Sequence, residues 1–532
     1  MKKNYTAFLI FSFFFLTEGF AQVILDSTNL PIVFINTNFQ AIPDEPKITA
    51  GMAIIDNGYN VTNHVTDTNF TYYGYIGIEQ RGSISQQWWW TQKSYAVETR
   101  TALGIDTNVV LMNMPKENDW VLYGPFSEAT LMKNVLTYEL VRQLGYYVTR
   151  TKYCEMMLKT GFFWNYNGVY VMMEKIKRDN NRVDISKLDL DDNAGDSLTG
   201  GYIIAVDRNI NPPPAPQDSG WKSQKDTAVF FTYKYPKGDE ITPQQKNYIQ
   251  QYVDSFETTM QSPNFSNLTT GFRKYIEPVS FMDFFFIQEL SKNVDAYKRS
   301  SYLYKDKNSK DPRLHAGPHW DYNSAYKIAL GGCESFDSDT GWVYDMTCWI
   351  HGADFPVPFW WERMLQDTVY TRDLKCRWQQ LRSTTLSTAN IFNVMDSIAN
   401  YVSTASTRHY LQFGIVANYQ YQVDSLKIWI NNRLAWLDAN MPGNCWNMNV
   451  TDESFENSFS VYPNPSSGMY NVQSTMYNVK AEVTDLMGRK IQTINLERGT
   501  TNLNLSNQPE GVYFLKISSE SSVFTKKIVR VK

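Results

Sequence analysis

Asp295 and Asp321 are spaced along this 532-residue chain so that a hairpin would bring them together. Asp295 lies in a loop after an apolar helical run (FMDFFFIQEL, residues 281–290), and Asp321 lies in HWDYN, residues 319–323. Between them come a short apolar strand (SYLY, residues 301–304), a turn rich in Asp, Lys, Asn, Ser and Pro, and a second extended segment. Two strands about such a turn predict a hairpin, which returns the chain to its own starting end. Both carboxylates are therefore expected to face one cleft. Acids converging in this way suit binding of a hard cation and proton transfer. A glycosidase pair would also need two acids, about 5–10 Å apart, but nothing else in the sequence supports that chemistry. The bland alternative is an aromatic packed at a strand end beside a turn carboxylate.

The order of parts narrows the chemistry. A base Asp in a loop, a strand–turn–strand and then a metal-binding Asp is the order used by protein kinases, so phosphoryl transfer leads.

The elements that must position these groups can be read in outline. After Gln22 short alternating runs (PIVFI, YIGIEQRG, YAVETR) predict strands, and a helix is expected from near Ser127 through LMKNVLTYELVRQLG, stopping at Gly145. Leu131, Val135, Tyr138 and Leu140 would form its apolar stripe. Strands return at TKYCEMML, GVYVMMEKI and GGYIIAVDR. Thr242-Pro243-Gln244-Gln245 reads as a helix start, with a capping hydroxyl, Pro in the first turn and Gln245 closing a capping box. From there to about residue 440 the pattern is mainly helical. A two-lobed α+β body with its ligand between the lobes fits this order.

Composition sets the boundaries. The length exceeds one core, so two or more domains are expected. A net charge of −4 and the lack of a dense Lys/Arg run give no reason to expect nucleic-acid binding. Lys2 and Lys3, the apolar run 8–16 and Gly19-Phe20-Ala21 predict a signal peptide over residues 1–21. No later stretch is long and apolar enough to predict a transmembrane helix. Five cysteines are an odd number for an exported chain. Cys333 and Cys348, which flank a Gly/Ser/Asp-rich loop, are the expected pair. No zinc-binding spacing occurs among the cysteines and five histidines. The body is expected over residues 22–448 and a polar, acidic linker over 449–458. A small β-sandwich is expected over 459–532, where short alternating runs are separated by Asn-Pro, Met-Gly and Glu-Gly turns.

That last segment resembles the type A carboxy-terminal sorting domain of type IX secretion cargo, through VYPNPSSG, DLMGRKI, GVYFLKI and the final KKIVRVK. The resemblance implies export, recognition by the type IX secretion machinery and a secreted or cell-surface location. The body, from about Arg81 to Asp438, resembles the CotH family, spore-coat-H-like proteins with an atypical protein-kinase-like fold. Its carriers are RGSISQ and KSYAVETR, NDWVLYGPFSEATLMKNVLTYEL, NGVYVMMEKIKRDNNRVDI, TGGYIIAVDR, NVDAYKRSSYLYKD and GPHWDYNSAY, with PFWWERML, RWQQLR and WINNRLAWLD later on.

The resemblance implies roles for single residues. Asp321 matches the metal-binding Asp for Mg²⁺. Asn323, two residues on in an expected extended segment, would share its side. Asp295 matches the catalytic Asp that orients or deprotonates an acceptor hydroxyl. Trp320 is placed to stack on adenine or simply to pack. Arg81 and Lys93 are the cations expected at the ATP phosphates. Glu174 would meet the nucleotide edge or a lobe cation, or else bridge to Lys175 or Arg182. Lys133 and Asn134 open a helix whose N–H groups favour anions. The chain departs from the ordinary kinase pattern at Ser300, where a metal-ligating Asn would stand, and it has no GxGxxG loop. The expected function is an ATP/Mg-dependent kinase acting on hydroxyls of an exported protein. Because ATP is scarce outside cells, a catalytically silent structural, glycan-binding or partner-binding protein is the alternative.

Overall fold

The computed structural model describes residues 23–532 except 83–85, 87–90, 127, 209–218, 328–335, 347–355, 446–457, 477–478 and 519–522. The expected signal peptide, most of the expected linker, and both Cys333 and Cys348 lie outside the described residues. Cys376 and Cys445 are disulfide-bonded, and Cys154 is a buried free thiol. The chain forms two compact units divided after Gly443.

The first unit begins with a closed barrel of seven strands: β1 (Ile32–Asn36), β2 (Ile48–Ile55), β3 (Tyr72–Arg81), β4 (Ser94–Arg100), β5 (Asp119–Tyr123), β6 (Thr151–Lys159) and β7 (Asn165–Glu174). Its order is β6-β7-β5-β4-β3-β2-β1, and a parallel β1–β6 pairing closes the ring. Five of these strands match expected runs, whereas β2, β5 and the closure of the ring were not anticipated. Alternate residues turn inward, and Val33, Ile35, Met52, Ile54, Ile76, Ile78, Val97, Trp120 and Met172 fill the interior. Side chains thus plug a barrel of this size, and closure leaves no open sheet edge.

Helix α1 (Lys133–Gln143) follows β5 in the chain and starts six residues later than its periodicity predicted. Leu131 has φ 56°, which breaks the helical path, and the Glu128 carboxylate accepts the Lys133 N–H at 2.7 Å. Gly145, at φ 94°, takes the left-handed turn beyond the helix.

A five-stranded antiparallel sheet comes next, ordered β9-β10-β8-β11-β12. Its strands are β8 (Tyr202–Val206), β9 (Gly220–Lys222), β10 (Phe230–Tyr235), β11 (Ser301–Lys305) and β12 (Leu314–Ala316). The expected hairpin is β11–β12, with Leu303 opposite Ala316. Helix α2 (Pro243–Gln261) carries the full capping box: Thr242 accepts from Gln245 N, and the Gln245 side chain accepts from Thr242 N at 3.1 Å.

Helix α3 (Pro278–Ser291) is buried on nearly every face, as its apolar sequence demands. It packs against α1, α5 (Thr368–Arg382) and α7 (Tyr419–Asn440), while α6 (Thr388–Phe413) lies on α1, α7 and the barrel strand β7; a short α4 (Trp360–Met364) precedes α5. Among the described residues, no helix is long and apolar enough to cross a membrane.

The second unit has a three-stranded sheet (Phe459–Tyr462, Met469–Ser474, Gly499–Asn504) and a four-stranded sheet (Lys490–Leu496, Val479–Asp485, Gly511–Ser518, Val523–Arg530). Tyr470, Val472 and Leu503 of one sheet share a core with Val483, Leu515 and Ile528 of the other. That is the small sandwich expected from the alternating runs.

Candidate functional site

The site is built where α3, α1 and the hairpin meet. Past β12 the chain is pinned by His319, whose ring stacks on Phe284 of α3 at 4.7 Å and whose Nδ1 shares a hydrogen bond of 2.5 Å with Tyr322 Oη. Burial holds His319 down to about 3, so it is neutral and serves the packing. Asp321 then adopts φ 65°. Its N–H donates to Tyr138 Oη at 3.1 Å, and its carbonyl accepts from Asn293 Nδ2 at 3.1 Å. The next N–H, of Tyr322, donates to Asn134 Oδ1 at 2.6 Å. Two side chains of α1 and one from the loop after α3 therefore fix the backbone that carries Asp321.

Asp295 is held by the same bracket, its N–H donating to Asn293 Oδ1 at 3.3 Å. A turn follows in which the Asp295 carbonyl accepts from Arg299 N at 3.0 Å. The carboxylate itself takes Arg299 Nη1 at 3.4 Å. A third carboxylate belongs to the group. Asp207 directly follows β8, accepts Arg208 N–H at 2.9 Å and pairs with Lys234 at 3.1 Å.

These charges act on one another. Burial, then Asp295 and Asp207, raise the Asp321 carboxyl to about 7, with Arg81 opposing. Asp295 is raised too, by burial first and also by Asp207, against Arg299, Lys298 and Arg208. Burial lowers Arg81, and Asp321 opposes that shift. The Arg81 guanidinium lies 5.7 Å from the Trp320 ring centre, and Trp320 in turn stacks on Tyr138 at 6.5 Å. Arg81, Trp320, Asp321 and Asp295 are thus brought together.

Other expected residues are placed differently. Glu174, fully buried, binds Arg150 at 3.0 Å and Arg182 at 3.3 Å, the arrangement of its salt-bridge alternative. Lys93 donates from Nζ to the Gln86 carbonyl at 3.1 Å. Lys133 is buried beside Glu128, and Asn134 spends its carbonyl oxygen on the Asp321 loop. Asn323 lies in a turn, and the left-handed Asp321 ends the alternation that was to put both on one side. Asp207, Asn293 and Tyr138 were not anticipated as site residues. A carboxylate directly after the apolar strand YIIAV was the available signal for Asp207.

Among the described residues, no cluster of three or more His, Cys, Asp or Glu is arranged to hold a metal ion. Magnesium needs only one or two protein carboxylates beside phosphate oxygens and water. Asp321 and Asp295 offer hard oxygen donors whose mutual repulsion a divalent cation would relieve, so these residues fit the ion.

An α-helical core carrying two aspartates on one hairpin bracket, with an arginine of the β-barrel beside them, defines a mixed helix-and-sheet protein with an acidic site. The chain belongs to the CotH kinase protein family, whose sequence profile matches residues 78–437. A secretion system C-terminal sorting domain matches residues 460–532 and marks the chain as a secreted, surface-directed CotH-like protein. No curated protein matches the chain. Among solved structures, PorZ of Porphyromonas gingivalis, a bacterial surface component of the type-IX secretion system, matches with 17% identity over 16% of this chain and 13% of its own, at a TM-score of 0.13. That overlap is too short and distant to bear on the fold.

Proposed function

We propose that this chain is an atypical kinase that binds ATP with magnesium and transfers phosphate to a hydroxyl of an exported protein. One observation carries the reading: within the family-matched body, Asp295 and Asp207 raise the proton affinity of the buried Asp321 while Arg81 opposes them, and Asp207 raises that of Asp295. In this reading Asp321, with Asn323 nearby, holds the magnesium, which would shield phosphate charge during transfer. Asp295, whose raised carboxyl makes it a stronger base than a surface Asp, orients and accepts the proton of the acceptor hydroxyl. Arg81 neutralises phosphate oxygens from the barrel side, and Trp320 supports Arg81 and offers a face to the base. The fixed backbone around Asp321 and Asn293 keeps these groups in place before the nucleotide arrives. The sorting domain supports delivery by the type IX machinery and an extracellular acceptor.

Calorimetric titration of the mature chain with ATP, with and without Mg²⁺, tests the reading, with Asp321→Ala alongside. Magnesium-dependent binding that the variant loses is the expected result. A folded chain that binds no nucleotide would remove the kinase reading and leave a silent binding protein on this fold.

A further inference from the structure

At one end of the barrel two loops carry aromatic side chains outward. The β6–β7 hairpin turns through Thr160-Gly161-Phe162-Phe163-Trp164, and Phe162, Phe163 and Trp164 are 79%, 77% and 38% exposed. The loop after β1 adds Phe39, 61% exposed. The two loops are tied together at their bases, with Thr37 N donating to the Lys159 carbonyl at 3.0 Å. Phe39 is held at φ 68°, a left-handed backbone that bulky residues rarely adopt. Strain of this kind persists where surrounding structure enforces it, here to set Phe39 against Phe162 at 5.0 Å.

Ring geometry and charge decide what such a tip fits. A sugar or planar ligand needs ring faces in one plane. Here Phe39 meets Phe162 edge to face at 75°, and Trp164 stands at 84° to Phe34 of β1, so Phe39 and Phe162 present no shared face. A deformable apolar medium makes no such demand. Residues 36–41 and 159–165 contain no Asp or Glu although the whole chain is net acidic. Their one charge is Lys159, whose ammonium lies 5.9 Å from the Trp164 ring centre. Aromatic side chains at the headgroup level with a cation beside them are the composition of an interfacial anchor.

We propose that the tip formed by Phe39, Phe162, Phe163 and Trp164, with Lys159 at its base, docks the exported chain onto an anionic lipid surface. The rings enter the boundary between headgroups and acyl chains while Lys159 meets an anionic headgroup. The proposal is independent of phosphoryl transfer.

The test is flotation of the full mature chain with vesicles of phosphatidylcholine alone and with added phosphatidylglycerol. The wild-type chain is expected to float with the mixed vesicles, and the Phe162→Ser/Phe163→Ser double variant is expected to lose at least tenfold in bound fraction. Lys159→Glu is expected to abolish the preference for anionic vesicles. Because these side chains are exposed, an unchanged melting temperature in the variants will show that they fold. Absence of flotation, or flotation unaffected by the double substitution, overturns the proposal. Retention of the tip by an insoluble polysaccharide or a protein in place of vesicles overturns it as well.

Discussion

Asn293 and Asp321 are joined by a 3.1 Å hydrogen bond from the Asn293 amide to the Asp321 carbonyl. The oxygen of the same side-chain amide accepts the Asp295 N–H at 3.3 Å. One residue therefore ties together two aspartates that lie 26 positions apart, and it does so through main-chain atoms, leaving both carboxylates for chemistry. Asn293→Ala is expected to preserve the fold but loosen the bracket. Nucleotide affinity measured by calorimetry should fall by roughly tenfold, about 1.4 kcal/mol, with Asn293→Asp giving partial recovery because it still accepts the Asp295 N–H.

The raised Asp321 carboxyl has a consequence for stability. Its value of about 7 in the fold exceeds the ordinary 3.8, so between pH 4 and 7 the folded chain holds a proton that the unfolded chain has lost. That contribution is fully present below about pH 4 and disappears as pH rises through 7. Asp321→Asn removes this titration. In the absence of divalent cations, denaturant unfolding should show the variant equal to wild type near pH 4. Near pH 8 it should be more stable by on the order of 2 kcal/mol, a value discounted for partial solvent access. Glu128 and Glu257, each raised to about 7 chiefly by burial, titrate with the same sign and will leave a residual slope in both proteins.

Much of this could be read in the sequence because it is local. The Thr242–Gln245 capping box, the largely apolar α3 and the β11–β12 hairpin each depend on residues a few positions apart, and each formed as expected. The juxtaposition of Asp295 with Asp321 followed from the hairpin. Barrel closure did not follow, since it rests on the parallel pairing of β1 with β6, more than a hundred residues distant. Asp207 was hidden for the same reason: its strand reaches the aspartates by pairing with β11, Ala205 opposite Tyr302, and no local pattern announces that. The extended path expected from Asp321 to Asn323 did not form, because Asp321 takes a positive φ, and such a conformation at a non-glycine residue leaves no periodic trace.

A buried pair ties α3 to α7. Glu289 and Arg433 are both fully buried and meet at 3.2 Å. Glu289 also accepts from Tyr297 Oη at 2.9 Å and Val343 N at 2.8 Å, and Arg433 donates to the Glu289 and Gly341 carbonyls. Removing either partner leaves an uncompensated charge, so Arg433→Ala or Glu289→Ala should each cost about 3–5 kcal/mol in chemical denaturation. The double variant should lose less than the sum, and strict additivity would show that the pair is not coupled.

Asp207 offers a separation of chemistry from packing. It raises both Asp295 and Asp321, and it raises Lys234 through a direct pair. Asp207→Asn keeps the shape and removes the charge, so Asp295 should lose its proton at lower pH and Lys234 should become less basic. If Asp295 is the base, the acidic limb of the pH–rate profile for phosphate transfer moves to lower pH. The turnover number at neutral pH falls as the base weakens, on the order of tenfold. ATP affinity should hold or rise slightly, because a negative charge near the phosphates has gone. A variant with a lower melting temperature and an unmoved acidic limb would instead confine Asp207 to anchoring Lys234.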